Sequence, residues 1–357
     1  KEMSLMKKFL SLALSVLMLL SLLTGCGGGS STDDGAQQDG GSETAETGGK
    51  LVVYSALNED NTIAMAEQFE KDTGIEVEYI SLGGGDAVAR VQAEMSNPQA
   101  DFLVGGSVDL YGSLAEAGAL LEYDSPNNDD LDARFNDPNH LWQGWYMGVL
   151  SIIINEERFQ EELASQGLAE PATWDDLLDP RWNGQIVMTD PGSSGSIKYF
   201  VGALMNSPAY GTAYFERLRE NGCMLESNST ATHLQVAHGT YAVGICMDYI
   251  VSNMEEAGEP ISFRLPERDT VPIYSPMGLV AGCPNERNGR LLYDYILSKE
   301  GQTILTEHHL HSIRDDLGNT PDFIQTVLDS RLPVNEQEIS DTMEDVMDRF
   351  DRIFFQD

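Results

Sequence analysis

The chain has 357 residues, 21 Lys plus Arg against 58 Asp plus Glu, and 41% hydrophobic residues. This is enough apolar material for about two ordinary domains, which excludes a miniature or fully disordered protein. The formal net charge of −37 gives no general basis for binding nucleic acid, because duplex binding depends on Lys and Arg. Four cysteines cannot form a disulfide scaffold in so long a chain, and no pair has Cys-x-x-Cys spacing.

The N-terminal segment predicts export from the cell. Lys7-Lys8 precedes an apolar run over residues 9–23, which is too short to span a bilayer comfortably, so residues 1–25 are expected to be a signal peptide. The run ends in Leu23-Thr24-Gly25-Cys26, which resembles the lipobox of bacterial lipoproteins. That resemblance implies that Cys26 is lipidated and becomes the first mature residue; the alternative is a plain signal peptide with an incidental cysteine.

A tether is expected between the lipid site and the folded body. Residues 27–49 contain eight glycines, five acids and no aliphatic side chain larger than alanine, so burial there cannot offset the entropy of ordering. We therefore expect residues 26–49 to be a disordered lipoprotein tether, roughly 25 Å long as a random coil. These features predict a protein on the extracellular face of the cell membrane, held by a lipid anchor.

Beyond the tether, strand patterns alternate with helix patterns, which predicts an α/β protein with helices on both faces of parallel-rich sheets. In the first part, strands are expected at 51–54, 75–79 and 101–104, and helices at 61–73, along the face formed by Val88, Val91 and Met95, and at 110–121. In the second part, strands are expected at 152–154, 185–188 and 241–246, and helices at 174–178 and after Ser193-Ser194-Gly195. A strand at 274–281 and helices within 291–305 and 323–328 follow.

Several motifs together resemble one family. They are Tyr54-Ser55-Ala56, Gly105-Gly106-Ser107, the block from Thr173-Trp174-Asp175-Asp176 through Asp179-Pro180-Arg181-Trp182-Asn183-Gly184, and Asp190-Pro191 before Ser193-Ser194-Gly195. The chain resembles, over residues 50–315, the extracellular solute-binding proteins of ABC importers, in the cluster that takes ferric ion, phosphonates and hexose phosphates. The resemblance implies a two-lobe, type II periplasmic-binding-protein fold whose cleft closes on the ligand.

This resemblance also sets the expected domains and partners. Lobe 1 is expected over residues 50–147, lobe 2 over 148–273, and a return to lobe 1 with C-terminal helices over 274–357. The implied partners are a small anionic solute, a membrane permease and its ATPase. We expect a monomer without a cofactor.

The turn Asp190-Pro191-Gly192 leads into the clearest helix of the second lobe. The first backbone N–H groups of a helix have no intrahelical partner, and the helix dipole adds about half a positive charge there. An anion site is therefore expected at Ser193, Ser194, Gly195 and Ser196, suited to phosphate, phosphonate or carboxylate. The alternative is that Ser193 or Ser194 only caps the helix.

The other lobe is expected to contribute residues that follow its strands. Ser55 and Asn58 follow the first strand, and Gly106 and Ser107 follow the third, at the carboxyl ends where ligands lie in open α/β sheets. The alternative is ordinary turn chemistry, because Gly, Ser and Asn favour loops.

Asp248 and Tyr249 bear on the identity of the ligand. The resemblance implies two adjacent tyrosines here in ferric-binding relatives, whereas this chain has Tyr249 followed by Ile250, which cannot ligate a metal. Ferric ion with a helper anion is therefore the alternative ligand. Asp248 resembles the acidic residue with which the sugar-phosphate branch accepts hydrogen bonds from hydroxyl groups; a strand-end or capping aspartate is the competing interpretation.

No enzyme is expected. The chain has no Gly-x-Ser-x-Gly elbow, His-Glu-x-x-His or phosphate-loop lysine motif, and the spacing of His308, His309 and His311 does not put all three on one helix face. No metal site is expected. Cys223 and Cys246 are expected to be buried thiols. The predicted function is a binding lipoprotein that captures a phosphonate or sugar phosphate; a ligand-presenting surface sensor is a further alternative.

Overall fold

The computed structural model describes residues 49–56, 59–317 and 320–356, so the predicted signal peptide, Cys26, the tether up to residue 48, and Asn58 lie outside the described residues. The strands are β1 Lys50–Ala56, β2 Glu76–Ser81, β3 Phe102–Gly105, β4 Leu120–Leu121, β5 Gln143–Asn155, β6 Ile186–Thr189, β7 Met224–Glu226, β8 Val243–Met247, β9 Ile261–Arg264, β10 Val271–Val280 and β11 His311–Ser312. The helices longer than five residues are α1 Glu59–Thr73, α2 Gly84–Glu94, α3 Val108–Glu116, α4 Gly195–Asn206, α5 Gly211–Glu220, α6 Ser229–Ala237, α7 Asp248–Glu256, α8 Glu286–Leu297, α9 Lys299–Glu307, α10 Thr320–Asp329 and α11 Glu336–Phe355.

The first three βα units build one half of the sheet. Strand β1 pairs in parallel with both β2 and β3, and Leu51 and Val53 on β1 are fully buried. Gly74 ends α1 with φ +72°, a left-handed conformation that glycine adopts without steric cost. Helix α3 ends at Glu116, so the predicted helix at 110–121 is too long.

The second half of the sheet repeats this arrangement. Strand β6 pairs in parallel with β7 and β8. The predicted short helix at Trp174–Leu178 is present as a 3-10 helix, and Thr173 and Asp176 form a reciprocal capping box at its start. Trp174 and Trp182, from the block that resembles the family, are buried in the main core. The block therefore has a packing role next to this half of the sheet.

Strands β5 and β10 connect the two halves. Val104 on β3, Met277 on β10 and Gln143 on β5 form one row of partners, and Leu150 pairs with Met247 at the carboxyl end of β8. Strand β3 runs parallel to β5 and β8 runs antiparallel to it, so the carboxyl ends of β3 and β8 point toward each other. Seven residue steps along β5 separate them, about 23 Å at 3.3 Å per residue. The predicted α/β fold, with helices flanking the sheet, is confirmed; the cleft between the two sets of strand ends stays a prediction.

The C-terminal helix packs on the second half of the molecule. Gly202 in α4 faces α11, where an added Cβ would lie 2.8 Å from Met343 Cε and 3.0 Å from Ile339 Cγ2. The Tyr199 hydroxyl donates to Glu336 Oε2 at 2.6 Å. The predicted lobe boundaries, 147/148 and 273/274, fall inside β5 and β10. Among the described residues, no helix combines the length and apolarity needed to cross a membrane.

Candidate functional site

The site begins at the N-terminus of α4. Ser194 occupies the N-cap position with extended backbone angles, and the first helical hydrogen bond runs from the Lys198 N–H to the Ser194 carbonyl at 2.8 Å. No group within the described residues accepts a hydrogen bond from the backbone N–H groups of residues 194–197. Four donors and the positive end of the helix dipole are therefore directed out of the helix at one point.

The serine side chains at this end are not used as caps. Ser194 makes no side-chain capping hydrogen bond; its Oγ lies 3.2 Å from Ser196 Oγ and 3.3 Å from Ser229 Oγ. Ser193 is exposed, and its hydroxyl donates to the Asp190 carbonyl at 2.9 Å. The capping alternative is therefore wrong for Ser194, and the hydroxyl cluster is formed by Ser194, Ser196 and Ser229.

The start of α6 was not predicted and lies beside α4. Asn228 caps this helix by accepting from the Ala231 N–H at 2.8 Å, which leaves Ser229 in the first turn with its hydroxyl toward Ser194. Behind them, Thr189 at the end of β6 is hydrogen-bonded to Thr232 at 2.7 Å. The Asn-Ser-Thr sequence at 228–230 is the type of N-cap signal that could have located this helix.

In the first half, three strand ends converge. Gly106 has φ +84°, and a Cβ added there would lie 3.9 Å from Ala56 Cβ and 4.0 Å from Gly84 Cα. The carboxyl end of β1, the residue after β3 and the start of α2 therefore meet. Ser107 is the N-cap residue of α3 and makes no side-chain cap bond, whereas Ser55 is 3% exposed within β1. The glycines at 83–85, which start α2, belong to this edge and were not predicted.

Asp248 is engaged inside the protein. It is 1% exposed; Oδ1 accepts from the Val149 N–H at 2.9 Å, and Oδ2 lies 2.6 Å from His311 Nε2. Both carboxylate oxygens therefore have protein partners at the junction of α7, β5 and β11. This geometry favours the structural interpretation of Asp248 over a direct contact with ligand hydroxyl groups.

Tyr249 is also an interior residue. Its ring centroid lies 6.1 Å from that of Tyr146, and a Cβ at Gly148 would lie 3.1 Å from two of its ring carbons. Burial raises the pKa of Tyr249 well above the ordinary value for a phenol, because desolvation disfavours the phenolate. Trp145, in the adjoining part of β5, is fully buried, and its Nε1–H donates to Ser275 Oγ at 3.0 Å.

Metal-ligating side chains do not gather in the part of the chain that the structure describes: no three His, Cys, Asp or Glu side chains are arranged to hold an ion. His309 lies 3.0 Å from Glu256, and His311 pairs with Asp248. Cys223, Cys246 and Cys283 are buried free thiols, which confirms the prediction for Cys223 and Cys246.

Residues 97–322, more than half of the chain, match a family model described as bacterial extracellular solute-binding protein. A Salmonella typhimurium protein named as a putative 2-aminoethylphosphonate-binding periplasmic protein is 28% identical over 250 residues, which cover 68% of this chain and 70% of that protein. Both the family model and this relative are described as binding proteins.

Two solved structures share the fold. The periplasmic binding protein AfuA from Actinobacillus pleuropneumoniae, with fructose-6-phosphate bound, has a TM-score of 0.69 and 26% identity over 86% of this chain and 98% of that one. Iron-bound HitA from Pseudomonas aeruginosa has a TM-score of 0.73 and 19% identity over 84% and 99%. The chain therefore belongs to the bacterial extracellular solute-binding proteins, as a substrate-binding protein of an ABC transporter that acts on the extracellular side of the membrane.

Proposed function

We propose that this protein captures a small anionic solute in the cleft between its lobes, with an organophosphonate or a sugar phosphate as the favoured class. The observation that carries the proposal is the N-terminus of α4, where four successive backbone N–H groups have no acceptor in the described residues. Hydroxyl groups of Ser194, Ser196 and Ser229 stand beside them. Capture and release require only binding and lobe closure, and the solute passes to a permease and its ATPase.

The strongly negative net charge is compatible with an anionic ligand. Screening acts over about 8 Å at physiological salt, so distant surface acids contribute little to a ligand held by local donors. Lys198 in the first turn of α4 is exposed and forms no ion pair within the described residues. It supplies a positive charge near the site.

The comparisons support this class of ligand. One relative is named for 2-aminoethylphosphonate, and one similar structure holds fructose-6-phosphate. Both compounds carry a tetrahedral dianionic group, which the free N–H groups of a helix N-terminus suit. The loops of the first lobe, with Gly106 and Ser107, are proposed to close over the other side of the solute.

Ferric ion is the alternative ligand, since HitA is iron-bound. It is less well supported, because Tyr249 is buried with a raised pKa and Ile250 offers no ligand atom. A ligand-presenting sensor would use the same cleft. Neighbouring genes for a permease and an ATPase would favour transport over sensing.

A thermal-shift screen of the purified protein tests the ligand class. The ligands are 2-aminoethylphosphonate, fructose-6-phosphate, ferric citrate and, as the matched control, sodium citrate. A ligand at 100 times its Kd stabilises the folded state by about 2.7 kcal/mol, so we expect the melting temperature to rise with 2-aminoethylphosphonate or fructose-6-phosphate. A rise with ferric citrate, and none with sodium citrate, 2-aminoethylphosphonate or fructose-6-phosphate, would instead support the ferric alternative.

The lipid anchor at Cys26 is part of the proposal. The lipobox-like sequence and the acidic, glycine-rich tether support it. Stable anchoring requires a second lipid signal in addition to one acyl chain. Metabolic labelling with a fatty acid tests it directly. We expect label in the wild type and none in Cys26→Ala; label retained in that variant would remove Cys26 as the anchor.

A further inference from the structure

Thr189, the last residue of β6, is connected to the starts of both α4 and α6. The connection to α4 is the chain itself. The turn into α4 begins at Asp190, whose backbone N–H donates to the Glu226 carbonyl at 2.8 Å. The Asp190 carbonyl accepts the Ser193 N–H at 3.0 Å, and its side chain accepts the Gly192 N–H at 2.8 Å. The path from Thr189 to the N-terminus of α4 is therefore short and held by several hydrogen bonds.

The connection to α6 is made by the Thr189 hydroxyl group. It lies 2.7 Å from the hydroxyl of Thr232, the fourth residue of α6, and both residues are at most 1% exposed. The Thr232 hydroxyl donates to the Asn228 carbonyl at 3.3 Å. Because a hydroxyl group has one hydrogen, Thr189 is the donor to Thr232. The hydrogen bonds therefore run from the end of β6 to the N-cap residue of α6.

This link determines where the first turn of α6 lies relative to that of α4. Ser229 directly follows the N-cap residue Asn228, and its hydroxyl lies 3.3 Å from that of Ser194. The two serines belong to different helices, so their separation depends on how the helix starts are held together. Breaking a buried hydrogen bond leaves a polar group without a partner, which is unfavourable. The Thr189 hydroxyl therefore resists displacement of α6.

We infer that Thr189 is a positioning residue of the anion site: its hydroxyl, acting through Thr232, holds Ser229 beside Ser194 so that α4 and α6 bind the same anion. This inference rests on the proposed function, because it requires an anion at the N-terminus of α4. The Thr189 hydroxyl is itself buried and donates to Thr232. Removing it should weaken binding without removing a group that touches the solute.

Titration calorimetry with 2-aminoethylphosphonate, and with fructose-6-phosphate as a second probe, tests the inference. Thr189→Val has nearly the same shape without the hydroxyl, and Thr189→Ser keeps the hydroxyl. We expect Thr189→Val to lose about threefold to fivefold in affinity, close to the contribution of one hydrogen bond from Ser229. Thr189→Ser should bind within about twofold of the wild type.

Thr270→Val is the matched control. It also removes a buried threonine hydroxyl, which donates to the Val327 carbonyl at 2.6 Å, but Thr270 directly precedes β10 and has no link to α4 or α6 through that hydroxyl. We expect this variant to keep wild-type affinity. A loss equal to that of Thr189→Val would show that the effect follows from removing any buried hydroxyl, and the inference would fail.

A double variant separates positioning from a role in stability alone. If Thr189 acts through Ser229, then Thr189→Val should cost nothing further in a Ser229→Ala background, and the double variant should bind like Ser229→Ala. Losses that multiply, to roughly 15- to 25-fold, would show that Thr189 acts independently of Ser229 and would overturn the inference. Wild-type affinity in either single variant, Thr189→Val or Ser229→Ala, would overturn it as well.

The wild-type protein distinguishes this failure from failure of the proposed function. If the wild type binds a probe and only the Thr189 predictions fail, the anion site stands. If the wild type binds neither probe nor inorganic phosphate, the proposed function fails and the inference fails with it. Thermal unfolding shows whether each variant is folded. Thr232→Val breaks the same link from the side of α6 and replaces Thr189→Val if that variant does not fold.

Discussion

The hydroxyl groups of Ser194 and Ser229 lie 3.3 Å apart, although the two residues are 35 positions apart in the chain. Ser194 is the N-cap residue of α4 and Ser229 is the first residue of α6, so this contact places two helix N-termini side by side. The positive ends of both dipoles then act on the same region. An anion at Ser194 is therefore expected to interact with α6 as well as with α4.

Replacing Ser229 with alanine is expected to weaken phosphonate binding. The variant removes one hydroxyl donor, and a hydrogen bond of this kind contributes about 1 kcal/mol, or about fivefold in affinity. Titration calorimetry with 2-aminoethylphosphonate measures the change. Ser165→Ala, on an exposed serine of another segment, is the matched control and should bind like the wild type. Unchanged affinity in Ser229→Ala would place α6 outside the site.

A carboxylate at Ser194 is expected to abolish anion binding while the protein stays folded. Ser194→Glu puts a negative charge on the free N–H groups of α4, where it both repels the ligand and occupies its donors. Ser194→Gln has the same size without the charge, so its loss of affinity isolates the steric part. We expect Ser194→Glu to lose at least 100-fold and Ser194→Gln clearly less. Equal losses would show that the effect is steric, and no loss would remove this turn from the site.

The α4 half of the site could be predicted because its signals are local. The turn Asp190-Pro191-Gly192 and the apolar stripe from Ile197 to Met205 are adjacent in sequence, and the helix begins at Gly195, within one residue of the predicted start. The contact of Ser229 with Ser194 could not be predicted in this way. Ser229 reaches Ser194 only because β6, β7 and β8 pair in parallel, and no local pattern encodes that pairing.

Asp248 shows the same limit. Its position at the end of β8 was predicted, but its partner His311 lies 63 residues further on and arrives through the pairing of β11 with β5. Helix α11 is absent from the sequence-based prediction, although Ile339, Met343, Val346 and Phe350 recur at helical spacing. The fold followed from periodicity, whereas contacts between distant segments did not.

Asp248→Asn is expected to destabilise the protein by about 1–3 kcal/mol, because it replaces a buried charge-assisted hydrogen bond to His311 with a neutral one. Urea unfolding measures the change. Asp351→Asn, on an exposed residue of α11, should stay within about 0.5 kcal/mol of the wild type. The double variant with His311→Gln gives the coupling energy of the pair. Wild-type stability in Asp248→Asn, together with weakened ligand binding, would return Asp248 to the ligand site.

The buried thiols give a prediction for alkaline pH. Burial raises the pKa of Cys246 from 9.0 to about 12, because the thiolate loses its hydration inside the protein. Between pH 9 and pH 12 the unfolded chain releases this proton and the folded protein keeps it. The free energy of unfolding therefore falls as the pH rises through that range, by up to about 1.4 kcal/mol per pH unit for one thiol.

Removing this thiol should make the pH dependence shallower. We expect the unfolding free energy of Cys246→Ala, measured in urea at pH 8, 9 and 10, to decline less steeply than that of the wild type, whatever its value at pH 8. The Cys246 thiol should also be unreactive toward a disulfide reagent at pH 8 until the protein unfolds, because both burial and its raised pKa protect it. Parallel curves for the two proteins, or rapid reaction of the native thiol, would show that Cys246 is accessible to water and ionises as an ordinary cysteine.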